Sequence, residues 1–172
     1  MTSSRQDSGD AASAARLPAK APAVTPAVTV ERVTTVTDEL VEAIGQLIPQ
    51  LSSSATAPDG ATIAAIAASP SSTLFVCRSS SAERPVVGML TLVTYQIPTG
   101  LRAVVEDVVV DESARGSGAG AALVAASLLE ARRMGAREVD LTSRPSRQAA
   151  NRLYARMGFE LRETNVYRHR LS

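Results

Sequence analysis

The segment of this sequence that most clearly indicates a binding function contains three glycines directly after an apolar run. Gly116, Gly118 and Gly120 follow residues 104–110, most of which are valine, and a helical pattern begins directly after them. Glycine allows backbone conformations and close approaches that a Cβ atom would block. Successive N–H groups at the start of a helix form a concavity for an anion, which the helix dipole reinforces. The segment therefore predicts a phosphate or pyrophosphate site, with Arg115 adding positive charge beside it.

Two other phosphate-binding motifs are alternatives for this loop. A Walker loop ends in Gly-Lys-Ser/Thr, and the single lysine of the chain, Lys20, lies far away. The letters GSGAGA satisfy a Rossmann dinucleotide fingerprint, and Asp140 follows twenty residues after the last glycine. However, residues 111–115 separate the apolar run from the first glycine, and only 32 residues follow Asp140. A Walker loop is thus excluded, and a Rossmann-type dinucleotide binder is a distant alternative.

Two separate segments resemble one known family. Arg115-x-x-Gly118-x-Gly120 after a valine-rich strand is similar to the acetyl-CoA loop of the GNAT N-acetyltransferase superfamily, and AANRLYARMGF at residues 149–159 resembles its second signature. The resemblance extends over residues 28–172. It implies an α/β (α+β) fold with a GNAT-like mixed, mostly antiparallel central sheet that is splayed at the strand before the glycine loop, with helices on both faces. It also implies an enzyme that transfers acetyl from acetyl-CoA to a primary amine by direct attack in a ternary complex.

The resemblance also implies roles for individual residues. The backbone of the strand before the loop would contact pantetheine, the Val108 N–H would polarise the thioester carbonyl, and the loop N–H groups would hold the pyrophosphate. Tyr154 matches the general acid that protonates the departing thiolate, and Arg147, Asn151 and Tyr154 share one face of a helix. The cofactor-binding residues implied are Val108, Val109, Val110, Arg115, Gly116, Ser117, Gly118, Ala119, Gly120, Ala121, Arg147 and Asn151.

The sequence departs from the family pattern in two places. Many relatives carry an asparagine seven residues before the tyrosine, where this chain has Arg147, so that either Asn151 takes its role or Arg147 reaches a phosphate. Histone-type members of the family place a glutamate base four residues before the first pantetheine contact, a position that holds Val104 here. Glu106 is the favoured base because an amine must lose a proton before it attacks a thioester. Binding of the acceptor's charge and a structural ion pair are open alternatives for Glu106. Regular alternation would place Glu106 and its neighbour Asp107 on opposite faces, but members of the family commonly have a bulge there.

Hydrophobic periodicity and turn residues predict eleven elements. The expected order is strand, two helices, three strands, helix, strand, helix and two final strands. Thr37 or Asp38 is expected to cap the first helix, and Gly135 to end the helix after the glycine loop. The expected ranges are strands at 28–34, 73–78, 85–97, 101–110, 138–142, 159–161 and 166–171, and helices from the cap to Leu51, to near Ala68, from the glycine loop to Met134, and from Pro145 to Gly158.

Composition narrows the class of protein. With 172 residues, 45% hydrophobic and 20% charged, the chain has the balance of a globular protein of one domain. Residues 1–28 are rich in Ala, Pro and Ser and predict a flexible tail before a single domain at 29–172. No apolar run is long enough for a membrane span or typical of a signal peptide, so a cytoplasmic location is expected. The single cysteine, Cys77, excludes a disulfide framework, and no cluster of ligands suggests a metal.

The distribution of charge and the number of aromatic residues indicate which classes of ligand or partner the chain can bind. Residues 113–172 carry eleven arginines and five acidic side chains, an excess that suits a phosphorylated small molecule. Three tyrosines, two phenylalanines and no tryptophan offer hardly any stacking surface, which disfavours a nucleic-acid binder. The expected acceptor is a small-molecule amine or a protein N-terminus, and a homodimer is an expected assembly because family members are often dimers. The main alternative to an enzyme is a non-catalytic CoA-binding module.

Overall fold

The computed structural model describes residues 27–171, so the tail expected at residues 1–28 lies outside the described residues except for Ala27 and Val28. Val28 already belongs to the first strand. The elements are β1 Val28–Arg32, α1 Asp38–Leu51, α2 Gly60–Ala68, β2 Ser72–Ser79, β3 Val86–Ile97, β4 Gly100–Val110, a 3-10 turn Glu112–Ala114, α3 Ala119–Met134, β5 Val139–Leu141 and α4 Gln148–Arg156.

The strands form one five-stranded sheet in the order β1-β2-β3-β4-β5. Neighbouring strands from β1 to β4 are antiparallel. Short turns join β2 to β3 and β3 to β4, whereas α1 and α2 lie between β1 and β2. The last pair, β4 and β5, is parallel and is connected through α3. The expected mixed, mostly antiparallel sheet is therefore confirmed.

Helices cover both faces of this sheet, as expected. Leu74 and Val76 of β2 pack on the face covered by α1 and α2, whereas Phe75 and Cys77 pack on the face covered by α3. Strand β2 is thus apolar at successive positions because neither face meets water. Burial raises the pKa of the Cys77 thiol to about 11, so this cysteine is a core residue and not a nucleophile at neutral pH.

Capping residues mark three helix boundaries, of which the predicted ones at Thr37 and Gly135 are confirmed. The Leu40 N–H donates to Thr37 Oγ1 over 3.2 Å at the start of α1. The Thr62 N–H donates to the Asp59 carboxylate over 2.8 Å at the start of α2, and hydrogen bonds with Thr62 hold the pKa of Asp59 below its usual range. Gly135 has a φ of +86° and ends α3 in the left-handed conformation.

The predictions for the last part of the chain are wrong in two respects. Helix α4 begins at Gln148 and not at Pro145, because a turn closed by the Arg147 N–H and the Arg144 carbonyl precedes it. No strand is present at 159–161 or 166–171, although the alternating pattern there is typical of one. A strand needs a hydrogen-bonding partner as well as a pattern, and residues 160–171 are all exposed with no neighbouring strand in the described chain.

Within residues 27–171, no helix has the length and apolar character needed to cross a membrane. In the same part of the chain, no three His, Cys, Asp or Glu side chains are grouped as a metal site would require.

Candidate active site

The sheet opens between β4 and β5. The two strands pair only between residues 103–105 and 139–141, while β4 continues to Val110. The Asp111 N–H donates to the Val87 carbonyl over 2.8 Å, on the β3 side of the strand. Because successive residues direct their backbone groups to opposite sides, Val108 and Val110 direct theirs into the opening. The expected splay is therefore present, with backbone donors and acceptors of β4 along one wall.

A β-bulge lies at the mouth of this opening. Thr91 is opposite Glu106 and Met89 is opposite Val109, so Asp107 and Val108 together face Leu90 alone. Asp107 has a φ of +51°, a conformation that is uncommon for residues other than glycine. The bulge implied by the family resemblance is thus present.

This bulge shifts the alternation of β4 by one residue. Before it, Ala103 and Val105 point to the α3 side of the sheet, whereas after it Val108 and Val110 do so. The residues at the shift, Glu106 and Asp107, are exposed. The bulge therefore holds a carboxylate at the point where β4 leaves β5.

The glycines of the loop serve two different purposes. Gly116 and Gly118 have φ values of +85° and +87°, and a Cβ atom on either would meet no protein atom within 4 Å. Their backbone conformation requires glycine, and the space beside them is free for a ligand. Gly120 is different, because a Cβ there would lie 3.1 Å from Leu153 Cδ2. Gly120 thus leaves room for the Leu153 side chain of α4. The first two glycines thus leave open space beside the loop, at the position where the sequence predicts a phosphate.

A cleft of about 890 Å³ lies between β4, the glycine loop and α4. That volume is within the range of small-molecule and cofactor sites. Most of the site residues expected from the sequence line it, namely Val108, Val109, Val110, Arg115, Gly116, Gly118, Ala119, Gly120, Ala121, Arg147 and Tyr154. Glu106, Ser117 and Asn151 are not in this lining.

Ser117 and Asn151 instead shape the walls of the cleft. The Ser117 hydroxyl accepts from the Ala119 N–H over 3.4 Å at the start of α3. The Asn151 side-chain amide donates to the Arg144 carbonyl over 3.0 Å and to the Pro145 carbonyl over 3.5 Å. Asn151 therefore fastens the loop before α4 to the helix. Of the two alternatives for the missing asparagine, Arg147 is the residue at the cleft.

Arginines supply the positive charge of the cleft. The Arg147 guanidinium donates to the Leu51 carbonyl over 2.9 Å, which joins the start of α4 to the end of α1. Arg115 forms an exposed ion pair of 2.8 Å with Glu112. Arg152 and Arg156 of α4 also line the cleft and were missed at the sequence level. The excess of arginine after residue 112 indicates that basic side chains are numerous there, but only the geometry of α4 shows that these two line the cleft.

Tyr154 projects from α4 into the same cleft. Its ring meets Phe159 edge to face, with centroids 5.9 Å apart, and the residue is half-buried. Burial raises the pKa of the Tyr154 hydroxyl above its usual value of 10, and the nearby charge of Arg147 lowers it by a smaller amount. The hydroxyl therefore remains protonated at neutral pH.

Gln50 is a further residue that the sequence did not indicate. Its side-chain amide donates to Asp111 Oδ2 over 2.8 Å, and its oxygen accepts from the Glu112 N–H over 3.0 Å. Gln50 thus fixes the last turn of α1 to the residues that lead into the glycine loop. A polar residue on an exposed helix turn carries no pattern that would single it out.

The open edge of β4, the glycine loop and the protonated Tyr154 therefore line one cleft. Residues 42–159 match the model of the acetyltransferase (GNAT) family, and the chain belongs to this family. It is accordingly an acyltransferase of the GNAT type. A search of curated protein sequences found no significant match.

Solved structures of other acetyltransferases share this fold. An aminoglycoside acetyltransferase from an uncultured soil metagenomic sample has a TM-score of 0.72 at 18% identity, over 85% of this chain and 97% of the other. Ribosomal-protein-alanine N-acetyltransferase from Brucella melitensis biovar Abortus 2308 has a TM-score of 0.67 at 16% identity, over 85% and 100%. An aminoglycoside N-acetyltransferase in complex with CoA has a TM-score of 0.68 at 15% identity, over 83% and 94%. At these identities the likeness shows the fold alone.

Proposed function

We propose that this chain, as one domain over residues 29–172, transfers an acetyl group from acetyl-CoA to a primary amine by direct attack in a ternary complex. The observation that carries this proposal is that the open edge of β4, the glycine cradle and Tyr154 line one cleft. A pantetheine arm contains amides that need hydrogen-bonding partners, and the open edge of a strand provides them.

The backbone of the chain supplies most of the binding. Val108 and Val110 bind the pantetheine arm with the N–H and C=O groups that they direct into the opening, with Val109 holding the strand on β3 between them. The N–H groups of residues 116–121 bind the pyrophosphate, because Gly116 and Gly118 leave the space beside the loop free. Arg115 and Arg147 add positive charge, while Asn151 holds the loop that positions Arg147. When bound, acetyl-CoA supplies the activated acyl group.

Three groups of the chain act on the reacting atoms. The Val108 N–H donates to the thioester carbonyl and stabilises the negative charge that develops on its oxygen. Tyr154 donates its proton to the departing sulfur, and the raised pKa keeps that proton available at neutral pH. Glu106 removes a proton from the acceptor ammonium, directly or through water, from its exposed position at the bulge.

The acceptor is proposed to be a small-molecule amine or a protein N-terminus. The similar structures include enzymes named for an aminoglycoside and for a ribosomal protein, so that the fold accommodates both kinds of amine. In this chain, residues 52–59 follow Gln50 and Leu51 at the edge of the cleft and contain Asp59 as their single acidic residue. A polycationic acceptor would therefore find little opposite charge there.

Single-turnover rates of two variants between pH 6 and pH 10 test these roles. Tyr154→Phe keeps the ring against Phe159 and removes the hydroxyl, so CoA affinity should persist while the rate falls, by up to about 10²–10⁴-fold. Since a thiolate is a tolerable leaving group at neutral pH, the fall can be smaller than that range. Glu106→Gln should lower the rate most at low pH and least at high pH, where the acceptor amine is already deprotonated.

Matched variants separate chemistry from folding. Tyr95→Phe removes a hydroxyl from a half-exposed tyrosine outside the cleft and should leave the rate unchanged. A Tyr154→Phe rate equal to wild type would refute the acid role, and a uniform loss across pH for Glu106→Gln would make Glu106 a binder of the acceptor. Binding of CoA without thiol release across a panel of amines would instead identify a non-catalytic CoA-binding module.

A further inference from the structure

One hydroxyl in the loop between β5 and α4 is buried without a hydrogen-bond partner. This is Ser143 Oγ, and within residues 27–171 no other side-chain polar atom shares that property. Burial keeps water from bonding to the hydroxyl, and folded proteins pair the large majority of such groups. Exceptions are expected at functional sites, where a group is held ready for a ligand at some cost in stability. The surroundings of Ser143 therefore indicate which ligand that would be.

Ser143 follows β5 on the side of the sheet opening that lies across from β4. The last paired residues of these two strands are Val105 and Leu141, and Ser143 comes two residues after Leu141. Counted in the same parallel register, Ser143 is level with the bulge at Asp107 and Val108. Ser143 and Val108 therefore belong to opposite walls of the opening. They lie at the level where the Val108 N–H is proposed to bind the thioester carbonyl.

The loop that contains Ser143 is fixed to helix α4. The carbonyl of the next residue, Arg144, accepts from the Arg147 N–H over 3.0 Å and from the Asn151 side-chain amide over 3.0 Å. Because α4 also carries Tyr154, these hydrogen bonds hold Ser143 and Tyr154 in a fixed relation on one wall of the opening. The backbone of β4 forms the other wall.

The proposed reaction develops a charge to which only one donor of the chain has been assigned. Negative charge grows on the thioester oxygen while the amine nitrogen forms its bond to the carbonyl carbon. A carbonyl oxygen has two lone pairs, and the Val108 N–H serves one of them. Tyr154 is assigned to the sulfur and Glu106 to the amine, so neither serves the second. A further donor that is shielded from water would stabilise this charge strongly.

We propose that the Ser143 hydroxyl donates a hydrogen bond to the thioester carbonyl oxygen from the wall opposite the Val108 N–H, so that the two residues form an oxyanion hole with two donors. This inference rests on the proposed function. Ser143 keeps its proton throughout, and the proton transfers assigned to Glu106 and Tyr154 are unchanged. The burial that leaves Ser143 without a partner in the protein also keeps water from competing for its hydroxyl.

Isotope-edited infrared spectroscopy of the full-length protein tests this hydrogen bond without an acceptor. The probe is acetyl-CoA labelled with carbon-13 at the thioester carbonyl. Because a hydrogen bond lowers the stretching frequency of a carbonyl, the band of the bound probe should lie lower in wild type than in Ser143→Ala. Ser143→Thr keeps a hydroxyl and should give a band close to wild type.

Rates and affinities separate the transition state from the ground state. With an amine that the wild-type protein acetylates, the single-turnover rate of Ser143→Ala should fall by about 10²-fold, the loss expected for one oxyanion donor. The affinity for acetyl-CoA should fall by no more than about threefold, because the charge that Ser143 stabilises develops only during the reaction.

A second buried serine provides the matched control. Ser127 is fully buried, and its hydroxyl donates to the Val124 carbonyl over 2.8 Å. Ser127→Ala should lower the melting temperature because it removes a satisfied hydrogen bond, and it should leave the carbonyl band and the rate unchanged. Ser143→Ala should instead raise the melting temperature of the protein without CoA, because it removes a buried group that has no partner.

The possible failures are distinguishable. Identical carbonyl bands in wild type and Ser143→Ala would overturn the inference even if amines are acetylated. A lower melting temperature for Ser143→Ala would show that the hydroxyl is already bonded within the folded chain and would also overturn it. A band that shifts in Ser143→Ala, without thiol release from any amine, would support the hydrogen bond and refute the proposed function. Absence of acetyl-CoA binding to wild type would overturn both.

Discussion

The two sides of the active-site cleft are built differently. One side is the β4 strand, which is anchored in the core of the sheet by the buried side chains Val105 and Val109. The core of this sheet is closely packed, since β2 is buried at five successive residues, 73–77. The opposite wall, α4, has no buried residue. The wall that provides backbone groups is therefore held by close packing on both faces of the sheet, whereas the wall that carries Tyr154 is held by a few contacts. Rigid donors on one side and a less constrained helix on the other suit a cleft that must admit a long ligand.

Substitutions of one leucine in the closely packed core and one leucine in α4 test this comparison. Leu123 of α3 is fully buried, so Leu123→Ala should lower the free energy of unfolding by about 2–5 kcal/mol. Leu153 of α4 is half-buried, and Leu153→Ala should cost less than half as much. Urea unfolding of both variants at one protein concentration measures the difference. Equal losses would mean that α4 is as tightly packed as α3.

The distance along the chain between interacting residues explains which features could be predicted from the sequence. The cap at Thr37, the end of α3 at Gly135 and the β2–β3 hairpin depend on residues close together in the chain, so the sequence predicts them. The glycine loop can also be predicted, because the backbone conformation at positions 116 and 118 requires glycine and the requirement is therefore visible in the sequence.

Features that depend on distant contacts were missed or misplaced. Gln50 lies 61 residues before its partner Asp111, and no local pattern connects them. The start of α4 is set by a turn at Arg144–Arg147, which the Asn151 side chain holds from inside the helix. The two final strands were predicted from alternation alone, and the described chain offers them no partner strand.

Two glycines in the same left-handed region of backbone conformation allow a sharper test on the glycine-loop side. Gly118 and Gly135 have φ values of +87° and +86°, and a Cβ on either would have open space around it. Valine at either position should cost about 1–2 kcal/mol of stability, because the left-handed conformation is strained for residues with a Cβ atom. Gly118→Val should also weaken CoA binding at least tenfold, since its side chain would occupy the space proposed for the pyrophosphate. Gly135→Val should leave CoA affinity unchanged.

Calorimetric titration with CoA on the two folded variants decides this point. Valine is strained at both positions because both have a left-handed φ, so a large difference in CoA affinity between the variants reports on the ligand space. Unchanged affinity in Gly118→Val would refute the phosphate cradle, and equal weakening in both variants would attribute the loss to general destabilisation.

The smallest expected effect concerns the connection between the closely packed core and the glycine loop. Gln50→Ala removes the hydrogen bonds to Asp111 and Glu112, each of which contributes about 0.5–1.5 kcal/mol where it is protected from water. Both partners are exposed enough to bond to water instead, so we expect a loss of CoA affinity of about two- to threefold, which corresponds to the lower part of that range, with little change in stability. Gln46→Ala, one turn earlier on α1, removes only a contact with Glu42 and should leave CoA affinity unchanged.

Asp111 provides an independent readout of this connection. Hydrogen bonds from Ser113 and then from Gln50 hold the pKa of the Asp111 carboxyl below its usual range. A depressed pKa means that the carboxylate form is favoured in the folded protein, so this stabilisation is present above the usual pKa of aspartate and is lost as pH falls through the folded value. Gln50→Ala should raise the Asp111 pKa toward its usual value, as measured by a carboxyl NMR titration. A raised pKa with unchanged CoA affinity would show that Gln50 holds Asp111 without positioning the loop, and the packed core would then determine the loop through β4 alone.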